Sequence, residues 1–386
     1  MYVNIEFLDT EPMENVITAL HYNIDKTIFI GFHDVVEAYK DRTQFFLNKY
    51  CDVETIKFVE VPENDLQAIL AAISTEVNNE KKAGNTVFFD ITGGEGLILM
   101  AFGMLAKDYN LPIHQFDVET DEMKEFKLGD AKLISQYDIK REHKVKLTLD
   151  SYIRMWGAQI NRKPEDNKDK LPIHDKKYME VVEELMLILD NCGADWNKFT
   201  AGMGRDFKAE GLDVDVTANP NEMYKWETFK EFLRKLNHAG AIYGYEAKDV
   251  QGGERVKFHY PSWDMKRTIL KSGNIFELQV YQAKKKKEGS QDCDMGVKID
   301  WDGNVNAGGV YNEIDVLGLN GNILTFVSCK GGNMDGNASL EPMYQIDAIA
   351  SRFGGKYARK ILATRERVKG VYAERAEAMK IKLECY

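Results

Sequence analysis

The sequence predicts an α/β protein with three domains. Three observations support this prediction: the length of the chain, a regular alternation of short strands with amphipathic helices in its first third, and a polar segment near its middle. A chain of 386 residues exceeds what a single hydrophobic core usually supports. We therefore expect domains at residues 1–150, 151–260 and 261–386.

The first domain is predicted to contain a largely parallel sheet. Runs of β-branched and aromatic residues predict strands at 2–7, 27–32, 55–61, 86–91 and 113–118. Apolar periodicity predicts helices at 12–21, 35–49, 64–79 and 96–109. A helix between successive strands is typical of a parallel sheet covered on both faces. We therefore expect a doubly wound, Rossmann-like domain, with a hairpin through residues 116–128 at an antiparallel edge.

The middle of the chain is predicted to be mainly helical. The polar segment 161–170 has the charge and turn content of a surface linker. Helices are predicted after it at 177–190, 196–209 and 226–239, followed by a hairpin between Ile242 and Tyr260. This order suggests a small winged-helix-like unit, although three helices and a hairpin are equally compatible with other folds.

The last third of the chain is predicted to form a second α/β unit. A helix is expected at 272–282, followed by strands around 297–301, 313–319 and 323–329. Two further helices are expected at 340–353 and 365–382. The arrangement is that of a strand meander with covering helices, and it forms the C-terminal domain.

Composition restricts the classes of function. The net charge of −11 argues against a protein that coats nucleic acid non-specifically. No segment is apolar enough to span a bilayer, and the N-terminus lacks a signal pattern, so a cytoplasmic protein is expected. The cysteines lie far apart and form no pair at zinc-ligand spacing, which fits free thiols in a reducing compartment. They are Cys51, Cys192, Cys293, Cys329 and Cys385.

A glycine-rich turn after the fourth predicted strand is the candidate ligand site of the first domain. It reads Thr92-Gly93-Gly94-Glu95-Gly96. Glycines let backbone amides approach a phosphate, a helix N-terminus favours an anion, and the Thr92 hydroxyl could add a donor. The turn matches neither the P-loop nor the dinucleotide fingerprint. A tight strand-to-helix turn without a ligand remains the alternative.

Two other loops are expected at the same edge of the sheet, because ligands bind beyond the carboxyl ends of parallel strands. Gly31, Phe32 and His33 lie at the end of the second predicted strand, and the two ring side chains could stack on a base. Phe32 is equally compatible with an ordinary core position. Thr10 follows the first strand and is assigned to the same candidate ligand site.

A strand followed by Asp-x-Thr-Gly-Gly at the start of a helix resembles the CARF domain of CRISPR-associated effectors. The resemblance covers residues 1–150 and implies a homodimer that binds a cyclic oligoadenylate, with cyclic tetra-adenylate expected. CARF domains often carry Thr-Lys after the two glycines, where this chain has Glu95-Gly96. The difference removes a cation next to phosphate and leaves the ring size open.

The hairpin through residues 312–330 carries the candidate catalytic residues. Asp315 lies between apolar neighbours in a strand, where a carboxylate needs a metal, a cation or several donors. Lys330 ends the partner strand. Phosphodiester hydrolysis requires oxygen ligands for a hard divalent ion. The pair resembles the PD-(D/E)XK nucleases, and Asp315 and Lys330 match that motif, whereas Ser328 occupies the usual acidic position.

The resemblance implies two further acidic ligands for Mn²⁺ or Mg²⁺. Glu341 begins the next predicted helix and is expected to replace the missing acid, with Gln345 on the same helix face. Glu277 matches the glutamate that the superfamily places on the preceding helix. The alternatives are a buried Asp315–Lys330 ion pair, a helix N-terminal charge at Glu341, and a solvated face at Glu277.

Both halves together resemble CARF-containing CRISPR nucleases of type III systems. The resemblance implies a homodimeric endonuclease, activated by a cyclic oligoadenylate, that cuts single-stranded DNA or RNA or nicks a duplex. Two alternatives remain open: a ligand-controlled DNA-binding regulator with an inactive nuclease-like domain, and a Rossmann-type enzyme acting on a small nucleotide. The lysines at 284–287 are either a guide for a phosphate backbone or a solvated turn.

Overall fold

The computed structural model describes residues 1–128, 133–136, 145–208, 210–271, 273–287, 290–303, 311–332 and 340–386. Within these residues the strands form three sheets, of seven, three and six strands. None of the described helices is long and apolar enough to cross a membrane.

The first sheet confirms the doubly wound N-terminal domain. Its parallel strands are β1 (Tyr2–Phe7), β2 (Lys26–Gly31), β3 (Thr55–Glu60), β4 (Thr86–Asp90) and β5 (Ile113–Asp117). Antiparallel β6 (Glu122–Leu128) and β7 (Leu133–Gln136) complete the order β3-β2-β1-β4-β5-β6-β7. The predicted edge hairpin is β5–β6, and β7 adds one more strand beyond it. Because β1 lies between β2 and β4, the loops after β1 and β4 flank the crevice in which this topology binds ligands.

Four helices cover the first sheet: α1 (Ile17–His21), α2 (His33–Tyr50), α3 (Leu66–Lys82) and α4 (Gly96–Tyr109). The apolar residues of α3 and α4 pack with Val3 and Phe89 on one face, and those of α1 and α2 pack with Phe88 on the other. The predicted helix at 12–21 begins only at Ile17, since residues 12–16 form a turn.

The central region contains the predicted helices and hairpin. Helices α5 (Leu149–Met155), α6 (Lys176–Cys192), α7 (Asp195–Asp206) and α8 (Trp226–His238) precede the hairpin of β10 (Tyr243–Val250) and β11 (Gly253–His259). The predicted end of α7 at Ala209 lies outside the described residues. Strand β9 (Asp213–Ala218), which pairs with β11, was not predicted. Its alternating Val214 and Val216 nevertheless have the period of a strand.

The third sheet forms the C-terminal domain. Its strands are β8 (Gln159–Ile160), β12 (Asp292–Asp300), β13 (Tyr311–Asn320), β14 (Ile323–Lys330), β15 (Arg359–Thr364) and β16 (Ile381–Cys385). The helices are α9 (Trp263–Leu270), α10 (Asn274–Lys287), α11 (Leu340–Gly354) and α12 (Val371–Ala378). The order is β16-β15-β14-β13-β12-β8, antiparallel from β8 to β14 and parallel from β14 to β16. The predicted start of α10 at Ser272 lies outside the described residues.

One prediction for the C-terminal half is wrong. The helix predicted at 365–382 is only α12, with β15 before it and β16 after it. Lys380, at a φ of 55°, makes the turn that ends the helical path. The boundary near residue 151 stays a prediction. Helix α5 contacts both α2 and β13, and β8 pairs with β12, so residues 149–160 contact both the N-terminal and the C-terminal domain.

Candidate functional site

Asp315 is held at the end of the β13–β14 pairing. Its Oδ2 accepts a hydrogen bond from the Cys329 backbone N–H at 2.6 Å and lies 3.5 Å from the Ser328 hydroxyl oxygen. Burial raises the pKa of Asp315, and the Cys329 N–H and Lys330 only partly counter this effect. The carboxylate therefore lies in a position that lacks sufficient positive charge.

Glu277 extends from α10 toward the same region. Burial, then the negative charge of Asp315, raises the pKa of Glu277 to about 7. Lys271 and Lys330 lower it by less. A buried carboxylate whose ionised form is disfavoured by a neighbouring carboxylate is a common feature of functional sites. The structure thus brings Glu277 close enough to Asp315 and Lys330 for their charges to change its pKa.

Lys330 lies between two cavities. One, of about 240 Å³, is lined by Asp315, Ser328 and Gln345 as well as by Lys330. The other, of about 650 Å³, contains Glu277 and Lys330. The ammonium-bearing side chain thus links the Asp315 side of the site to the Glu277 side.

Glu313 is a functional candidate that sequence analysis did not single out. It lines the cavity of Asp315 and a second cavity, of about 70 Å³, that contains Glu277. Its negative charge contributes to the raised pKa of both Asp315 and Glu277. The sequence could have indicated Glu313, because it lies two residues before Asp315 on the same strand, and such residues point to the same face of the sheet.

Glu341 does not join the other predicted metal ligands. It is exposed on α11, where its carboxylate accepts a hydrogen bond from Gln345 at 3.1 Å. The buried face of this helix belongs instead to Met343 and Ile346, so amphipathic packing turns Glu341 outward. Among the described residues, no group of three or more His, Cys, Asp or Glu could hold a metal ion. The predicted ligand set of Asp315, Glu277 and Glu341 is therefore not assembled.

The remaining donors still suit Mg²⁺ or Mn²⁺. Asp315 and Glu277 provide hard carboxylate oxygens, and their raised pKa values reflect a shortage of positive charge that a cation would relieve. Mg²⁺ is often bound by one or two carboxylates, with water and substrate phosphate completing the shell. A complete cage of protein ligands is consequently not required.

The glycine-rich turn after β4 packs tightly against the loop after β1. The Gly94 N–H donates to Asp9 Oδ2 at 3.1 Å, and the φ of Gly94 is 138°. A Cβ atom on Gly93 would lie 3.0 Å from a carboxylate oxygen of Glu14. The Thr92 hydroxyl accepts from the Phe116 N–H at 2.8 Å and also bonds to Asp90. The glycines are therefore needed for close backbone approach, while Thr92 ties β4 to β5.

The other predicted ligand residues lie at the same edge of the first sheet. A Cβ on Gly31 would come within 2.7 Å of Val36, and half-buried Phe32 packs edge-on against Phe7 at 5.2 Å. Exposed His33 lies 2.9 Å from Glu60, which raises the pKa of the imidazole. Other exposed residues here are Thr10, Glu95 and Gly96. Phe32 thus serves the core, whereas His33 is accessible to a ligand.

The C-terminal domain is similar to a known family of endonuclease domains. Residues 264–385 match the model of the Card1-like endonuclease domain. These residues are called the Card1-like domain because of that similarity. No curated protein matches the chain.

Two solved structures resemble the whole chain. Protein VC1899 from Vibrio cholerae is 19% identical with a TM-score of 0.68, and the match covers 100% of this chain and 94% of that one. Can2 from Sulfobacillus thermosulfidooxidans, solved with cyclic tetra-adenylate, is 16% identical with a TM-score of 0.67. That match covers 100% of this chain and 95% of Can2. Fold and endonuclease domain together confirm the predicted resemblance to CARF-associated CRISPR nucleases.

The lysine run of the Card1-like domain is mostly engaged within the protein. Buried Lys284 pairs with Glu384 at 2.7 Å, Lys285 donates to the Tyr281 hydroxyl at 2.9 Å, and exposed Lys286 pairs with Glu183. The side chain of Lys287 lies outside the described residues. These contacts favour a role in packing α10 over the two predicted roles, a guide for a phosphate backbone and a solvated turn.

Glu277→Gln is expected to stabilise the metal-free protein at alkaline pH. Because the pKa of Glu277 rises from 4.5 to about 7 on folding, its contribution to stability is fully present below the lower value and lost as pH rises through the higher one. In EDTA the variant should unfold like the wild type at about pH 4 and be more stable by about 3 kcal/mol at about pH 8. Urea denaturation measures the difference. A pH-independent difference would contradict the buried position of Glu277.

A direct contact connects the candidate ligand edge of the first sheet to the Card1-like domain. The Lys356 ammonium lies 2.6 Å from Glu14, and the Tyr357 hydroxyl donates to the same carboxylate at 2.6 Å. The Lys356 N–H donates to Glu11 at 3.0 Å. Burial raises the pKa of Glu11 to about 7, and it also raises the pKa of Glu14. The loop after β1 is therefore joined to the segment that leads into β15.

Proposed function

We propose that the chain is a divalent-metal-dependent endonuclease of type III CRISPR antiviral defence, activated by a cyclic oligoadenylate. It cuts single-stranded DNA or RNA, or nicks a duplex. The observation that carries the proposal is the buried pair Asp315 and Glu277 beside Lys330, within a Card1-like endonuclease domain. Carboxylates in a cleft whose pKa values are raised by burial and by a neighbouring charge are typical of functional sites.

Each residue of the site has a separate proposed role in the reaction. Asp315 and Glu277 would hold Mg²⁺ or Mn²⁺, which supplies an activated water and neutralises charge on the phosphate when bound. Lys330 lies where it can stabilise negative charge that develops on the phosphoryl oxygens. Ser328 and the Cys329 N–H orient Asp315. Gln345 lines the same cavity and suits a neutral contact to substrate.

Cyclic tetra-adenylate is the proposed activator, bound across the N-terminal domains of a homodimer. Can2, which shares the fold over the whole chain, was solved with this ligand. The proposed contacts come from the loops after β1, β2 and β4. They are Thr10, Gly31, Phe32, His33, Thr92, Gly93, Gly94, Glu95 and Gly96.

An activator controls the nuclease only if it favours one arrangement of the protein over another. The contacts suggest where this difference is transmitted. The Gly93-Gly94 turn packs on Asp9 and Glu14, and Glu14 binds Lys356 immediately before β15. Parallel pairing of β15 with β14 then reaches Lys330. A ligand that moves the turn would shift this contact.

The strongest competing function is a ligand-controlled DNA-binding regulator. Ser328 at the usual acidic position favours it, because a serine hydroxyl is not a charged metal ligand. Such a protein would bind DNA without a metal ion and would not cut it.

The proposal is tested by incubating the purified full chain with labelled single-stranded DNA, labelled RNA or a supercoiled plasmid. Each reaction contains Mn²⁺, Mg²⁺ or EDTA, with or without cyclic tetra-adenylate. Cleavage is expected only with both metal and activator. Activator binding without cleavage under any combination would favour the regulator instead.

A further inference from the structure

The cavity that contains Lys330 and Glu277 has a second wall from outside the Card1-like domain. Gly193, Ala194 and Asn197, in and after the turn between α6 and α7, line it opposite the endonuclease residues. Its volume of about 650 Å³ is within the range of ligand-binding pockets. The central helices therefore enclose a space that opens directly onto the candidate catalytic lysine.

Arg365 is the second cation of this cavity. Parallel pairing places Lys330 of β14 opposite Thr364 of β15, so Arg365 follows at the same end of the sheet. Its guanidinium donates to Asp190 at 3.2 Å and to the Gln279 side-chain oxygen at 3.0 Å, and it lies over the Phe276 ring. The sequence pattern predicted that Arg365 begins a helix, whereas in the structure it follows β15 and lies in the cavity wall.

The contacts of Arg365 leave it suited to bind an anion. The side chain is only 18% exposed and is held in one orientation, so binding costs little conformational freedom. Asp190 and Gln279 use one terminal nitrogen of the planar group, while the other N–H donors of an arginine fork suit phosphate.

We infer that this cavity binds the backbone of a single-stranded nucleic acid, with Arg365 donating to a phosphate adjacent to the one at Lys330. The inference rests on the proposed nuclease function and names its substrate-binding surface. Walls on two sides suit one strand, since a duplex would need an open groove. Glu277 and Glu366, the carboxylates that also line the cavity, then lie beside the strand, with Glu277 in its proposed metal-binding role.

Binding can be measured without cleavage. Fluorescence anisotropy of the full chain is recorded in EDTA with an end-labelled single-stranded DNA, the RNA of the same sequence, and the duplex, over a range of salt concentrations. Arg365→Ala should weaken binding of at least one single strand about tenfold. The slope of log Kd against log salt should fall by about 0.7, the value for one phosphate contact on a single strand. Arg365→Lys should keep the slope.

Arg367→Ala is the matched control, because Arg367 is exposed two residues later and does not line the cavity. It should leave affinity and slope unchanged. An equal loss in Arg367→Ala, or an unchanged salt slope in Arg365→Ala, would overturn the inference. An equal dependence of duplex binding on Arg365 would overturn the single-strand assignment.

The opposite wall provides an independent test. Ala194→Glu introduces a carboxylate into the cavity and should weaken single-strand binding, whereas Ala201→Glu on the exposed face of α7 should not. Equal behaviour of these two variants would count against the cavity even if Arg365→Ala folds poorly. Binding through Arg365 without any cutting would reject only the proposed nuclease function, and cutting with unchanged binding in Arg365→Ala would reject only this inference.

Discussion

Lys330→Ala is expected to reduce activator-dependent cleavage by at least about a hundredfold, the usual effect of removing one group that stabilises developing charge. Lys330 lines both the cavity of Asp315 and the cavity of Glu277. Among the described residues that line these two cavities, it is the one lysine. Its loss should also raise the pKa of Asp315, because Lys330 lowers that pKa in the wild type. Initial cleavage rates with saturating activator measure the effect.

Lys369→Ala is the control for this variant. Lys369 is exposed before α12 and lines none of the described cavities, so its removal changes the net charge equally without touching the site. Binding of cyclic tetra-adenylate should be the same in both variants and in the wild type. Wild-type cleavage by Lys330→Ala would mean that Lys330 takes no part in the reaction.

Lys356→Ala is expected to lower the activation ratio, the cleavage rate with activator divided by that without it, by about tenfold. This magnitude is typical of a coupling free energy between two sites. The Lys356 side chain is 58% exposed, whereas its partner Glu14 is 2% exposed. The variant therefore leaves a buried carboxylate without its cation but removes little packing. Glu14 will then bind a proton more readily, which weakens the contact between the two domains.

Tyr357→Phe separates the hydrogen bond from the charge in this contact. It removes the 2.6 Å bond to Glu14 and keeps the Lys356 ion pair, so a smaller loss of activation is expected. Lys369→Ala again controls for charge. Calorimetry should show activator affinity within about threefold of the wild type in both variants, since neither residue lies at the proposed ligand loops. Full activation of Lys356→Ala would exclude this contact as the route of coupling.

The sequence by itself determined the elements of the first domain and the hairpin that carries Asp315 and Lys330. The strands β1 to β5 begin and end within one residue of their predicted bounds, because the period of apolar residues is a local property of a strand. Asp315 was recognisable because a carboxylate among apolar neighbours is also visible in the local sequence. The Thr92-Gly93-Gly94 turn stood out because glycine permits backbone approaches that other residues prevent.

Only the tertiary structure decided which side chains meet. β15 joins the sheet through parallel pairing with β14, and β16 pairs in turn with β15. These pairings depend on residues distant in the chain, and they place Arg365 in a cavity wall and not in the predicted helix. Packing of α11 turned Glu341 outward, while the pleat of β13 turned Glu313 toward the site. Local periodicity specifies a face for each residue, but register and packing between distant segments specify what that face touches.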